Sequence, residues 1–537
     1  MQLDRLYSVA MKEVKYMSKV ISLKDALQLI PDGATMCVGG FVGCMHPEAL
    51  TKGIEDNFME CGAPRDLTLV YAAGQGDGAD RGLNHLGHEG LVKRIVGGHW
   101  SLAPKLQKLA LENKVEAYNF PQGVIAHMMR DVAAGKPGTL THVGLHTFVD
   151  PRIDGGKLNE RTTEDLVKLM EIDGKDYLLY KAFPMDVALV RATYADNDGN
   201  ATFERECVQL EVVAMCQAVK NSGGKVILQV EGIVEKGSLN PRLVRLPGIY
   251  VDAIVVAPKE DHMQTFGTQY NAGFSGEVRV NSMTAVNSMK LDARKIIARR
   301  CAMELTRGAV VNLGIGIPEG IAAVANEEGI GNDMTLTVES GLVGGIPASG
   351  QDFGASLNYD CMLDEPAQFD FYDGGGLDLA FLGLAEVDQT GNVNVSKFGP
   401  KIAGCGGFIN ITQNAKRLVY CGTFTAGGLK LTIEDGRLNI LKEGSSNKFV
   451  ADVEQITFSG KYAMEKGQPV IYVTERAVFE LTSNGLMLTE VAPGIDVEKD
   501  ILAHMNFKPE ISKELVEMDT RIFDDKSMGL KKESKSA

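Results

Sequence analysis

Glu339 is the residue around which chemistry can be built. It lies in Asp333-Met334-Thr335-Leu336-Thr337-Val338-Glu339-Ser340-Gly341-Leu342-Val343-Gly344-Gly345, where Leu336 and Val338 alternate with threonines as in a strand of a parallel sheet. Gly341, Gly344 and Gly345 let backbone come close to a bound molecule, and ligands of open α/β sheets sit off the carboxyl ends of the strands. A carboxylate placed there can act as a nucleophile whose developing charge meets backbone N–H groups. It can equally be a surface glutamate in a turn, so the rest of the chain must decide.

Other chemistries are less well supported. Gly314-Ile315-Gly316 begins like a dinucleotide fingerprint, but Glu319 stands where the third glycine belongs, and no P-loop occurs. The loop could still offer N–H groups at a helix N-terminus to a phosphate or an amide-bearing cofactor. There is no GxSxG elbow, no HExxH and no CxxC, and His85 and His88 have no third ligand beside them. Cys405, between Gly404 and Gly406, has no identifiable base and reads as a small side chain under a glycine loop. Gln122, in a Pro-Gln-Gly turn, is a polar contact for a substrate.

The elements that must position these residues belong to a large acidic globular chain. At 537 residues with 44% hydrophobic content it needs two cores, and many glycines against few prolines suit α/β structure. A net charge of -15 argues against nucleic acid as a partner. Nine cysteines without paired spacing read as reduced thiols of the cytosol. Nothing at the start resembles a signal or transit peptide, no run of about twenty apolar residues could span a membrane, and the expected place is the cytoplasm. Residues 1–17 precede the first patterned segment and read as an extension or an upstream start.

A repeat organises the chain. Ile21 to Ile30 is helical with Ser22 as N-cap, Ala34 to Val38 is a strand, and Gly39-Gly40-Phe41-Val42-Gly43 leads to Pro47-Glu48 at a helix start. The segment from Gly308 to Pro318-Glu319 repeats this unit, and Asp66 to Gly74 repeats as Asp333 to Gly341, with Ala72 where the second copy has Glu339. Asp186, Ala188, Asp196, Gly199 and Asn200 return as Asp378, Ala380, Asp388, Gly391 and Asn392, all at one offset of 192. The predicted fold is therefore α/β, with two related open α/β domains: an N-terminal domain over 18–265 and a C-terminal domain over 290–525. Residues 266–289 read as a linker and 526–537 as a disordered tail. The first half carries about 75 extra residues, among them a polar, helix-like Thr162 to Met170. A hairpin is expected at Asn484-Gly485.

Asp32-Gly33, Gly39-Gly40-Phe41 and Pro47 resemble the first signature of the family I CoA-transferases, and Glu339-Ser340-Gly341-Leu342-Val343-Gly344 resembles the second, which surrounds the catalytic glutamate. Segments such as Gln368-Phe369-Asp370-Phe371-Tyr372, Gly374-Gly375-Gly376-Leu377-Asp378 and Thr474-Glu475-Arg476 look most like the fused-chain branch, which contains bacterial propionate, lactate and acetate CoA-transferases. Met45, Cys37 and Val338 depart from the usual signatures. The resemblance implies the CoA-transferase-type architecture and a Glu339 that attacks acyl-CoA and carries CoA as a glutamyl thioester to an incoming carboxylic acid. It places Gly314, Ile315, Gly316, Ile317 and Pro318 with Gly404, Gly406 and Gly407 along the CoA path or oxyanion hole. Gly39, Gly40, Phe41, Gln122 and Gly341 fall in the substrate pocket.

Exchange of one carboxylate for another on CoA is close to thermoneutral, so it needs neither metal nor bound cofactor, only a carrier and a pocket that excludes water. Acyl-CoA and short carboxylic acids are the implied partners, in a homotetramer or homodimer. An acyl-CoA hydrolase and a 3-oxoacid CoA-transferase are alternatives on the same scaffold. A silent acyl-CoA-binding protein is disfavoured by the carboxylate opposite Ala72, and a sugar-phosphate isomerase by the lack of a basic phosphate cluster.

Overall fold

The computed structural model describes residues 18–280 and 289–532. Residues 1–17, the linker stretch 281–288 and the tail beyond 532 lie outside them. Each half is built on a mainly parallel sheet, nine-stranded in the first and ten-stranded in the second among the described residues. In the first, Thr35–Val38 lies between Val187–Asp196 and Leu67–Tyr71, parallel to both. In the second, Val310–Leu313 lies between Leu379–Gly383 and Thr335–Val338 in the same sense.

The repeat extends to single hydrogen bonds. Asp186 accepts from the N–H of Thr35 at 2.8 Å and Asp378 from that of Val310 at 2.9 Å, which fixes the central strand against its neighbour in each half. Asp196 binds the N–H and side-chain amide of Asn200, and Asp388 does the same to Asn392. These are local Asx-type turns, and they explain why those positions recur at one offset.

The chain order around the cavity also follows from local sequence. Ser22 caps the helix Leu23–Leu27, Pro47 precedes the helix Glu48–Cys61, and Pro318 precedes Glu319–Glu327. Gln122 is not in a free turn: it opens the helix Gln122–Ala133, because Pro121 supplies an extended residue just before it. Thr162 to Met170 is not helical. Val167–Ile172 pairs with Lys175–Lys181 in a hairpin whose turn, Asp173-Gly174, adopts positive φ at both residues. The hairpin at Asn484-Gly485 joins Ala477–Thr482 to Gly485–Val491.

Two segments read as loose are packed. Within 266–280 of the expected linker, Phe266 and Phe274 are buried, and the N–H of Val280 donates to Asn358. At the tail, Met528 and Leu530 are buried and the Glu328 carboxylate accepts N–H groups from Met528, Gly529 and Leu530. The lysine-rich composition hid those two apolar anchors. One apolar core crosses the halves, joining Phe41, Ala72 and Val124 to Val338, Phe353, Cys405 and Ile409. Among the described residues no helix is long and apolar enough to cross a membrane.

Candidate active site

The strand Thr335–Val338 ends at Glu339, and the side chain enters a cavity of about 240 Å³ between the halves. The first half supplies Phe41, Val42, His99 and Gln122 to its walls, and the second supplies Asn312, Phe353, Leu382 and Phe408. Its walls are mostly apolar, and no Lys or Arg among the described residues lines it. Burial raises the pKa of the Glu339 carboxyl, opposed by its own backbone N–H and by Asn312. A carboxylate so poorly solvated is the more reactive as a nucleophile.

Asn312 holds Glu339 in place. Its side-chain N–H₂ lies 3.5 Å from Glu339 Oε2 and 3.3 Å from the carbonyl of Thr337. Below them Tyr372 donates to the hydroxyl of Thr337 at 2.8 Å, and Gln368 donates to Tyr372 at 2.9 Å. Ser340, next in the chain, is tied to the carbonyl of Gly354 at 2.7 Å. The base of the Glu339 side chain is thus fixed by bonds on both sides.

Of the residues singled out by sequence, Phe41, Gln122, Gly314, Ile315, Gly404, Gly406 and Gly407 meet Glu339 around this cavity. Gly39, Gly40, Gly316, Ile317, Pro318 and Gly341 stand outside its immediate wall. The N–H groups of Gly314, Gly404 and Gly406 are already donated to the carbonyls of Phe381, Ser396 and Gly98. These glycines therefore shape the wall rather than offer free donors. A Cβ on Gly404, whose φ is +79°, would stand 2.8 Å from the Trp100 ring, so a side chain there would collide across the halves. Cys405 is a buried thiol whose pKa is raised by burial, with its N–H held by Asn119 at 2.9 Å.

His99, Asn312 and Glu365 escaped the sequence reading. Burial lowers the His99 pKa to about 4, so it is a neutral imidazole at neutral pH, with Nε2 3.1 Å from Ser101 Oγ. Glu365 is buried behind Gln122, whose side-chain N–H₂ donates to it at 2.6 Å. A polar residue inside the apolar strand Val310–Leu313 was the available signal for Asn312; its counterpart is Cys37. For His99 and Glu365 no local pattern existed. Among the described residues no group of His, Cys, Asp and Glu is arranged to hold a metal.

The model of the family described as coenzyme A transferase matches residues 20–257 and 294–501. The chain is 49% identical over 512 residues to the acetate CoA-transferase YdiF of Escherichia coli (strain K12), covering 95% of this chain and 96% of that protein. It is 48% identical over 520 residues to the caffeate CoA-transferase of Acetobacterium woodii, covering 96% and 99%. The crystal structure of the YdiF acyl-CoA transferase apoenzyme from E. coli O157:H7 is similar with a TM-score of 0.92 and 47% identity, over 97% of this chain and 98% of that one. A structure described as the thioester complex of that protein with CoA gives the same values. With the Glu339 carboxylate in a cavity between two matched halves, and near-half identity to such enzymes along almost its whole length, the chain belongs to the coenzyme A transferase family and moves CoA between acyl-CoA and acids.

Proposed function

We propose that the protein exchanges CoA between short-chain acyl-CoA thioesters and free carboxylic acids of the acetate, propionate, lactate and butyrate class, through a thioester on Glu339. The observation that carries this reading is the position of Glu339: half-buried, held by Asn312, facing an apolar cavity, and replaced by Ala72 in the twin half. That a 47% identical relative is described as a thioester complex with CoA supports a covalent carrier.

In the first step a Glu339 carboxylate oxygen attacks the thioester carbonyl, the C–S bond breaks, and CoA thiolate leaves an acyl-glutamyl anhydride. The thiolate then attacks the Glu339 carbonyl, releasing the first acid as its carboxylate and leaving glutamyl-CoA. The second acid's carboxylate attacks that thioester and the steps run backward. Each tetrahedral oxyanion forms within reach of the Asn312 amide, the side-chain donor already beside Glu339. Phe41, Phe353, Leu382 and Phe408 keep water from the anhydride and thioester.

Incubation with acetyl-CoA and no acceptor should add CoA to Glu339, seen by intact mass and located by peptide mapping, and borohydride should then inactivate the enzyme. Glu339→Ala should lose transfer while keeping its melting temperature, because the strand rests on Leu336, Val338 and their neighbours. Glu339→Asp should lose on the order of 10²-fold in rate, as displacement by about 1 Å does. Double-reciprocal plots should be parallel. An adduct on Cys405 would reassign the nucleophile, and continued release of free CoA and acid without an acceptor, beyond the one equivalent of acid per site that loading Glu339 releases, would make the enzyme a hydrolase.

A further inference from the structure

Behind the cavity wall a carboxyl group from each half meets its counterpart. Glu211 stands at the start of the helix Val212–Asn221, and Glu365 opens the helix Glu365–Asp373, its N–H donating to the carbonyl of Leu210 at 3.2 Å. Their exposures are 1% and 0%. The two carboxyls are close enough to share a hydrogen bond. Of their four oxygens Glu365 Oε1 accepts from the Gln122 amide, the Glu211 carboxyl has only its own backbone N–H beside it, and Glu365 Oε2 has no donor among the described residues. The charges acting on Glu365 are those of Glu211 and Glu339, all of one sign.

Two bare carboxylates are not stable face to face in a dry interior without a cation. A proton between them supplies the donor that the orphaned oxygens lack. One negative charge then remains on the pair. Glu365 Oε1 stays an acceptor, so Gln122 must turn its N–H₂ toward it, and this leaves Gln122 Oε1 on the side of Gly406 and the cavity. A Cβ on Gly406 would stand 3.7 Å from that oxygen.

We propose that the Glu211–Glu365 pair, holding one proton and one negative charge, positions Gln122 as an acceptor on the cavity wall, so that the site admits acids with one carboxyl group and rejects those carrying a second carboxylate on the acyl chain. The inference rests on Glu339 being the CoA carrier. A second carboxylate would be desolvated against a carbonyl oxygen and an anionic pair, with no Lys or Arg among the described residues of the wall to receive it. A hydrocarbon chain meets no such penalty, and a hydroxyl group can donate to Gln122.

The test is the kcat/KM for succinate relative to propionate as acceptor, with acetyl-CoA as donor. The wild-type ratio should be low. Glu211→Gln and Glu365→Gln each replace the shared proton by an amide N–H and keep one charge, so each should keep the ratio low. The double variant carries no charge and should raise the ratio roughly tenfold or more. A purely structural pair would not separate the singles from the double in this way. Gln122→Met removes the acceptor while leaving both carboxyls, should also raise the ratio, and decides the matter if the double variant does not fold. A wild-type enzyme that takes succinate as readily as propionate, or an unchanged ratio in either folded variant, overturns the proposal. The covalent CoA adduct, measured by mass in the wild type, is a separate readout: its absence alongside an intact discrimination retires the carrier and not the selectivity.

Discussion

A buried carboxyl beside polar neighbours records pH as stability. Asp373 lies at the contact between halves, both of its carboxylate oxygens accepting from Asn410 Nδ2 at 3.0 and 3.1 Å, and it stands 3.8 Å from His127. Burial raises its pKa to about 6, against the opposing pull of His127 and Asn410. The folded protein therefore holds this proton more tightly than the unfolded chain does. Its contribution to stability is fully present below the ordinary aspartate pKa and is lost as pH rises through about 6, a penalty of about 3 kcal/mol above that. Asp373→Asn should melt a few degrees higher than wild type at pH 8 and show little gain at pH 4, by thermal denaturation at both values. At this scale the sequence disclosed Glu339, because the repeat set it against Ala72. It did not disclose His99, Glu211 or Glu365, whose roles depend on neighbours hundreds of positions away.

At the scale of elements, the helices Gln122–Ala133 and Glu365–Asp373 lock the halves together. The Arg130 guanidinium binds the Asp370 carboxylate through two bonds of 2.8 and 2.9 Å, and His127 Nε2 lies 3.0 Å from the carbonyl of Pro366. The exposed ion pair contributes little. The close approach contributes more: a Cβ on Gly123 would stand 2.5 Å from the Phe369 ring and 2.6 Å from Asn410 Nδ2. Gly123→Ala should therefore displace Gln122, the next residue, and lower both stability, by about 1–3 kcal/mol, and transfer rate, by tenfold or more. Chemical denaturation and acceptor kinetics check the two parts. The strand and helix pattern of both halves was readable from periodicity, glycines and prolines. The hairpin over Val167–Ile172 and Lys175–Lys181 was not, since its exposed strands carry Lys and Glu on a pattern a surface helix also shows.

For the whole molecule, the duplication was legible and the docking was not. Matching Asp and Asn residues reveal that two units are alike, but nothing in a repeat says which faces meet. The apolar side chains that join Val124 to Phe353 and Ile409 look, in sequence, like the core of one unit. The packing of Phe266 and Phe274 was hidden for the same reason, because a segment without periodicity can still seat single aromatic anchors.

The seam also sets an order of assembly. Each half has a sheet of its own to collapse around, whereas Glu339, Gln122 and the Glu365 carboxyl come together only once the halves have joined. On dilution from denaturant, far-ultraviolet circular dichroism should recover first, and CoA transfer should follow after a lag. Where the joining of the two halves limits the rate, that lag should not shorten as protein concentration is raised. The chain would then regain its shape before it regains its chemistry, with the interval measuring how long tethered partners take to find one another.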